Sequence, residues 1–356
     1  MFLNALLVFV PVSLLLATVV HAPGGWVFVT GILAIVPIAD YIRRATEHVA
    51  SRAGSAVGGI LNVTVGNMPE LLIGLFLVSA GHTTVVKGQI TGSILGNGLL
   101  GLGLGIVAGG LTREKQTFKR ERAGLLSSLL VLAVIGLLVP SIFDYAERGS
   151  FKNPNPVPLD RPLSAGVAIV LIVVYMAALA YTFVTHRTVF ASAREEPPAN
   201  TWPLSKAIGV LVAGSACVAV EASLVSGTIE DAVRQFHLSE FFLGVTVLAV
   251  IGNASEYLSA VYFARRDQMG LVMSITVGSS IQMSLLIAPL LILASFGLGH
   301  PMTLVFSNPL VLISIGSAAF AVNTIAQDGE TNWFEGVLLL GVYVILALAF
   351  YYLGPA

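Results

Sequence analysis

Two short polar words interrupt long apolar runs in this chain. The first is Gly66-Asn67-Met68-Pro69-Glu70, and Gly252-Asn253-Ala254-Ser255-Glu256 stands 186 residues further on. Each places a carboxylate where the flanking residues read as membrane span. A charge at the bilayer centre costs at least about 2.5–3.5 kcal/mol, so it requires a partner. All 18 Lys and Arg lie in or beside loops, which leaves no basic side chain at comparable depth. Two glutamates in matching places therefore take a cation as their partner.

The groups around them narrow the cation. Asn67 and Asn253 each precede their glutamate by three residues, which puts the pair on one helix face. Gly66 and Gly252 loosen the backbone, and Pro69 removes an N–H and clashes with the preceding turn, freeing carbonyls to face an ion. Downstream, Gln89, Ser93 and Asn97 form a polar stripe at i, i+4 and i+8, and Ser279, Ser280 and Gln282 lie beside Gly278. Every donor in this set is oxygen. A hard divalent ion such as calcium, which takes about 6–8 oxygens in a flexible cage, is well served; copper and zinc are not. When the ion leaves, desolvation and like-charge repulsion favour a proton on at least one carboxyl. Protons and a divalent cation then compete for one site, which is the minimal basis of exchange. No cofactor is needed.

Several of these groups have plainer uses. Asn and Ser in membrane helices bond neighbouring helices, and runs such as Gly98–Gly110 serve helix packing. Glu221, inside an apolar run, could be a proton relay or a gate. Glu47 and Glu240 stand at span ends, where a capping or solvated role fits as well. The histidines cluster at span edges, with His48 and His237 able to tune a pH response.

The elements that position these groups follow from composition. With 356 residues, 56% hydrophobic and only 10% charged, the chain is no soluble globule, since ordinary domains carry about 25% charged residues. Mean hydropathy is +0.90. The lipid bilayer is thus its solvent. A net charge of −1 with no basic domain argues against nucleic acid, and the single cysteine, Cys217, excludes an internal disulfide or a cysteine-based zinc site. The first 20 residues lack a basic start and a small-residue cleavage site, so they read as a retained span. Hydropathy and helix breakers predict an all-α integral membrane protein of eleven transmembrane helices: 3–20, 25–43, 57–80, 85–110, 123–143, 163–185, 204–228, 241–264, 269–297, 303–325 and 333–353. The longest loops are Asp144–Arg161, with Pro154, Pro156 and Pro158, and His186–Trp202, with Glu195-Glu196-Pro197-Pro198.

Loop charge sets orientation. Of the 18 basic residues, all but Lys87, Arg148, Lys152, Arg161 and Arg234 fall on one side, which the positive-inside rule makes cytoplasmic. The N-terminus is then cytoplasmic and the C-terminus exoplasmic. The spacing from Glu70 to Gly92-Ser93 equals that from Glu256 to Gly278-Ser279, so the 186-residue offset spans two helices and marks an internal duplication. The two glutamate helices are spans 3 and 8 and cross in opposite directions. Spans 2–6 and 7–11 thus form inverted-topology repeats: a first span over 1–24, a repeat over 25–186, a cytoplasmic linker over 187–203 and a second repeat over 204–356. Inverted repeats with broken helices near the midplane are the architecture of secondary transporters. A channel has no need of them. An intramembrane metal-dependent hydrolase, the enzyme alternative, lacks any His-x-x-x-His, Ser-Lys or paired-Asp pattern within a span.

These words carry a resemblance. Ala45-Thr46-Glu47, Gly58-Gly59 through Asn62 and Gly66-Asn67 to Glu70, and Gly92-Ser93-Ile94-Leu95 belong to the first half. Leu238-Ser239-Glu240, Gly252-Asn253-Ala254 with Glu256, Gly278-Ser279-Ser280 with Gln282, and Asp328-Gly329 through Asn332-Trp333 to Glu335-Gly336 belong to the second. Together they resemble calcium/proton antiporters of the cation exchanger (CAX) family, within the calcium/cation antiporter superfamily. The resemblance implies calcium held by Glu70 and Glu256, helped by Asn67, Asn253 and the polar groups of spans 4 and 9. It implies access-path roles for Glu47, Glu221 and Glu240, and a bacterial plasma-membrane setting. The sodium-driven branch usually has Thr at the places of Asn67 and Asn253, which favours protons as the driver over sodium; manganese and magnesium are the alternative cargo ions. The chain departs from the family pattern at Met68-Pro69, at Met283 opposite Asn97, and in a linker whose acids reduce to Glu195-Glu196.

Overall fold

The computed structural model describes residues 2–52, 58, 61, 64–149, 159–185 and 202–353. Inside a bilayer every backbone N–H and C=O must be satisfied within the protein, and the helix does this within one segment. The described residues accordingly form helices: α1 Leu3–Val20, α2 Gly24–Arg52, α3 Met68–Ser79, α4 Thr83–Gly110, α5 Arg120–Arg148, α6 Asp160–Thr185, α7 Leu204–Gly227, α8 Ile229–Phe236, α9 Glu240–Gly252, α10 Ala254–Arg265, α11 Met269–Gly297, α12 Pro309–Asp328 and α13 Trp333–Tyr352. Nine of them are long and apolar enough to cross a membrane; α3 is shorter, and α8 and α9 meet at a bend of 106°. A two-stranded antiparallel ribbon, β1 (Gln116–Thr117) with β2 (Glu330–Thr331), pairs Gln116 with Thr331 and Thr117 with Glu330.

Burial runs opposite to that of a soluble protein. Ile169, Val170, Val173 and Met176 of α6 and Leu338, Val344, Ile345 and Leu348 of α13 are exposed, whereas Asp40, Asn67, Glu70, Gln89, Asn97, Glu221 and Asn253 are buried. Apolar side chains facing outward over whole helices mark a lipid-facing surface.

Where element bounds depart from the hydropathy reading, a local interaction explains the shift. Helix α2 runs to Arg52 rather than 43, because Asp40 pairs with Arg43 (3.0 Å) and Arg44 (2.7 Å) and Glu47 pairs with Arg43, all at helical spacing. Helix α5 absorbs Asp144 and Arg148, expected in a loop, through the same device. Helix α12 starts at Pro309 rather than 303: Asn308 caps it by accepting from Leu310 N (2.9 Å), and proline fits the first turn. Of the expected span 57–80, residues 57, 59, 60, 62 and 63 lie outside the described residues. So do 150–158, with Pro154, Pro156 and Pro158, and the linker stretch 186–201 with Glu195 and Glu196.

Two compact units emerge, and neither coincides with one half of the chain. The first comprises Met1–Gln89, Leu179–Ser255 and Phe350–Ala356; the second comprises Ile90–Ala178 and Glu256–Ala349. In the first, Ile38 and Ile42 of α2 pack on Val218 of α7, flanked by Leu7 and Val10 of α1 and Leu72 of α3. In the second, α5 packs along α12 and α11, and Ser141 ties α5 to the loop before α12 by donating to Leu304 O (2.9 Å) and accepting from Phe306 N (2.9 Å).

Candidate ion site

The two glycine–asparagine words adopt the same backbone. Asn67 has φ −99° and ψ 23°, and Asn253 has φ −92° and ψ 8°, both in the sparsely populated bridge region where many active-site residues sit. A new helix begins directly after each Asn, α3 at Met68 and α10 at Ala254. Glu70 and Glu256 thus stand in the first turn of their helices, where unpaired N–H groups and the helix dipole favour negative charge. Asn67 holds the N-cap position of α3 rather than a place within the helix, three residues before Glu70. Pro69 is no disruptor, because it occupies the first turn, where a missing N–H costs no hydrogen bond.

The first unit builds one set of groups. The Glu70 side chain, 4% exposed, lies against the backbone of Gly252: a Cβ there would stand 3.9 Å from both Cγ and Oε1 of Glu70, at ordinary contact distance. Gln89 Nε2 donates to the Glu70 carbonyl (3.2 Å), while Gln89 Oε1 is buried and meets no hydrogen-bond donor among the described residues. A buried amide oxygen left so is costly unless a ligand takes it. Asn253 Nδ2 donates to Ala249 O (2.7 Å), which orients its own amide oxygen. These groups are brought close by glycine. A Cβ on Gly88 of α4 would fall 2.6 Å from Phe241 O, and one on Gly244 of α9 would fall 2.9 Å from Gln89 N.

The second unit builds another. Ser279 Oγ of α11 donates to Glu256 Oε1 at 2.8 Å. Ser93 and Asn97 of α4 are fully buried, Ser280 of α11 donates to Ile94 O (3.4 Å), and Gln282 is half-buried. Both α4 and α11 widen into a π-helical turn here, Gly96–Gly101 and Met283–Ile287, a distortion common at functional sites. The 186-residue offset holds in the element bounds: α3 and α10 begin and end at matching positions, and α4 and α11 begin at matching positions. Among the described residues no three His, Cys, Asp or Glu cluster as a metal site.

The other predicted acids have partners elsewhere. Glu221, 1% exposed, accepts from Ser13 Oγ of α1 (2.8 Å), and its Oε2 meets no hydrogen-bond donor among the described residues. Glu47 is held by Arg43, and Glu240 lies 3.6 Å from His82 Nδ1. His48 stacks on Trp202 (4.7 Å between ring centroids) and its Nδ1 accepts from Trp202 N (3.3 Å), while His237 ends α8 in the left-handed conformation. Sequence reading missed Ser13, whose signal is a lone hydroxyl in an apolar span. It also missed the buried triad in which Arg148 holds Asp144 and Asp160 (3.0 Å to the latter), whose signal is the i, i+4 spacing of Asp144 and Arg148.

Comparison with known proteins follows the same lines. The sequence pattern of the family described as "Sodium/calcium exchanger protein" matches residues 24–184 and 206–352. The chain is 36% identical to a Ca(2+)/H(+) antiporter of Aphanothece halophytica over 98% of this chain and 95% of the relative. It is 37% identical to the Ca(2+)/H(+) antiporter ChaA of Bacillus subtilis over 97% of each. The solved structure of native YfkE superposes with a TM-score of 0.84 at 32% identity, covering 99% of this chain and all of that one.

Proposed function

This chain belongs to the sodium/calcium exchanger protein family, and from that premise we propose that it exchanges calcium for protons across a membrane. It is an integral membrane protein and a transporter by family. The observation that carries the reading is the repeated asparagine turn with a glutamate in the first turn of the helix that follows. Glu70 and Glu256 supply two negative charges for a doubly charged ion, and Asn67, Asn253, Gln89, Ser93, Asn97, Ser279 and Gln282 supply neutral oxygens, with Gly66 and Gly252 opening the backbone. Protons replace calcium on the same carboxyls, so only one of the two is carried at a time. Exchange then needs no separate coupling device.

The same reading extends to topology and direction. Eleven spans, with 25–186 and 204–356 as inverted repeats after a first span within 1–24 and joined by a linker at 187–203, turn the site to either side by alternating access. The short α3 begins directly after Asn67, and α9 and α10, neither as long as the nine long helices, meet at Asn253. The N-terminus is cytoplasmic, the C-terminus exoplasmic, and cytosolic calcium is exported across a bacterial plasma membrane. Glu221 with Ser13 serves a proton path within the first unit, and Glu47 and Glu240 guard the approaches.

Everted vesicles test this directly. With an imposed pH gradient, calcium should collapse the gradient in the parent protein and leave it intact in Glu70→Gln and Glu256→Gln. Indifference of either variant would contradict the shared-carboxyl mechanism. Collapse by manganese or magnesium alone would reassign the ion, and calcium uptake driven only by a sodium gradient would reassign the driver.

A further inference from the structure

We propose that Tyr257 is the positioning residue of the second glutamate, a ring that sets the depth and rotation of the α10 half-helix on which Glu256 stands. Tyr257 follows Glu256 directly and is 6% exposed. Its ring lies against α4 where only glycine leaves room for it. A Cβ on Gly101 would fall 2.7 Å from Cδ1 and 2.9 Å from Cε1 of the ring, and a Cβ on Gly96 would strike the hydroxyl. One turn on, a Cβ on Gly105 would fall 2.7 Å from Val272 of α11 and at ordinary contact, 3.6 Å, from Ala260 of α10.

The π-helical turn Gly96–Gly101 is the stretch of α4 the ring covers. A rigid aromatic ring between two glycines resists both sliding and rolling of the helix, because either movement drives it into backbone. The first copy has Leu71 at the matching position, so this wedge belongs to the second glutamate alone. Its consequence is the Ser279–Glu256 hydrogen bond at 2.8 Å, which requires α10 in one register against α11. A general packing role would affect stability; a positioning role affects calcium affinity first.

This inference rests on Glu256 being a calcium carboxylate. The test uses the full chain in proteoliposomes, reading calcium-driven proton flux as KM and maximal rate, with thermal unfolding as a fold check. Gly101→Ala should push the ring back by roughly 0.7 Å, from 2.7 Å to ordinary contact, and raise the calcium KM severalfold, with maximal rate nearly unchanged. Tyr257→Phe keeps the ring and should raise KM far less than Tyr257→Ala does. Tyr257→Ala should raise KM similarly, and adding Gly101→Ala to it should bring no further loss, because the methyl then enters vacated space. Gly316→Ala, with nothing within 4 Å, is the control for alanine in a helix. An unchanged KM in Gly101→Ala, or independent losses in the double variant, overturns the proposal. If Tyr257→Ala does not fold, Gly101→Ala against Gly316→Ala decides alone. Full exchange by Glu256→Gln would instead overturn the reading of Glu256 itself.

Discussion

Replacing Ser279 with alanine isolates one interaction at the second glutamate. The hydroxyl donates to Glu256 Oε1 at 2.8 Å, and Ser279 is only 4% exposed, so water does not simply take its place. A hydrogen bond to a charged group contributes about 1.5–3 kcal/mol. At 1.4 kcal/mol per tenfold, its loss weakens the ionised carboxylate by about 10–150-fold against its protonated form. Glu256 is half-buried rather than sealed, which places the effect near the lower end, at about tenfold. Calcium needs the ionised form, so the ratio of apparent KM values should approach about tenfold in acid, where protons compete for the carboxyl, and fall toward one in alkali, where the ionised form prevails regardless. Calcium-driven proton flux in proteoliposomes at acidic, neutral and alkaline pH measures this, with Ser279→Thr as the variant that keeps a hydroxyl. A Ser279→Ala protein with the parental KM in acid would refute the hydrogen bond's role in holding Glu256 ready for calcium.

Two structural predictions stand beside the vesicle and Tyr257 tests. Arg148→Met leaves Asp144 and Asp160, each 6% exposed, buried beside one another without their cation; it should cost about 3–5 kcal/mol in detergent unfolding, and adding Asp144→Asn should recover part of it. Gly88→Ala places a methyl 2.6 Å from Phe241 O and should separate α4 from α9 by roughly 0.8 Å, costing about 1–3 kcal/mol. Its unfolding curve should shift where that of Gly270→Ala, with open space around it, does not.

The sequence by itself determined a great deal here. A carboxylate in an apolar run is expensive wherever the helix finally packs, so Glu70 and Glu256 were recognisable without coordinates. Their common 186-residue offset reappears in the bounds of α3 and α10 because the same local word, Gly-Asn followed three residues later by Glu, drives the same backbone turn. Membrane class followed from composition alone, since no arrangement of this many apolar residues suits water. Helix ends were less legible. Asp40 with Arg43 and Arg44, and Asp144 with Arg148, extend their helices past the apolar stretch by pairing charges that hydropathy reads as loop.

Only the tertiary structure decided which groups touch. That Gly252 lies against Glu70, that Gln89 bonds the Glu70 carbonyl, that Ser279 reaches Glu256, and that Ser13 rather than a nearby residue meets Glu221 are contacts between segments far apart in the chain. The geometry turns on close approaches that glycine permits, at Gly88, Gly244 and Gly101. A glycine in sequence does not say which helix will come near it. The missing side chain is an allowance for a neighbour, and the neighbour's identity exists only once the helices have packed.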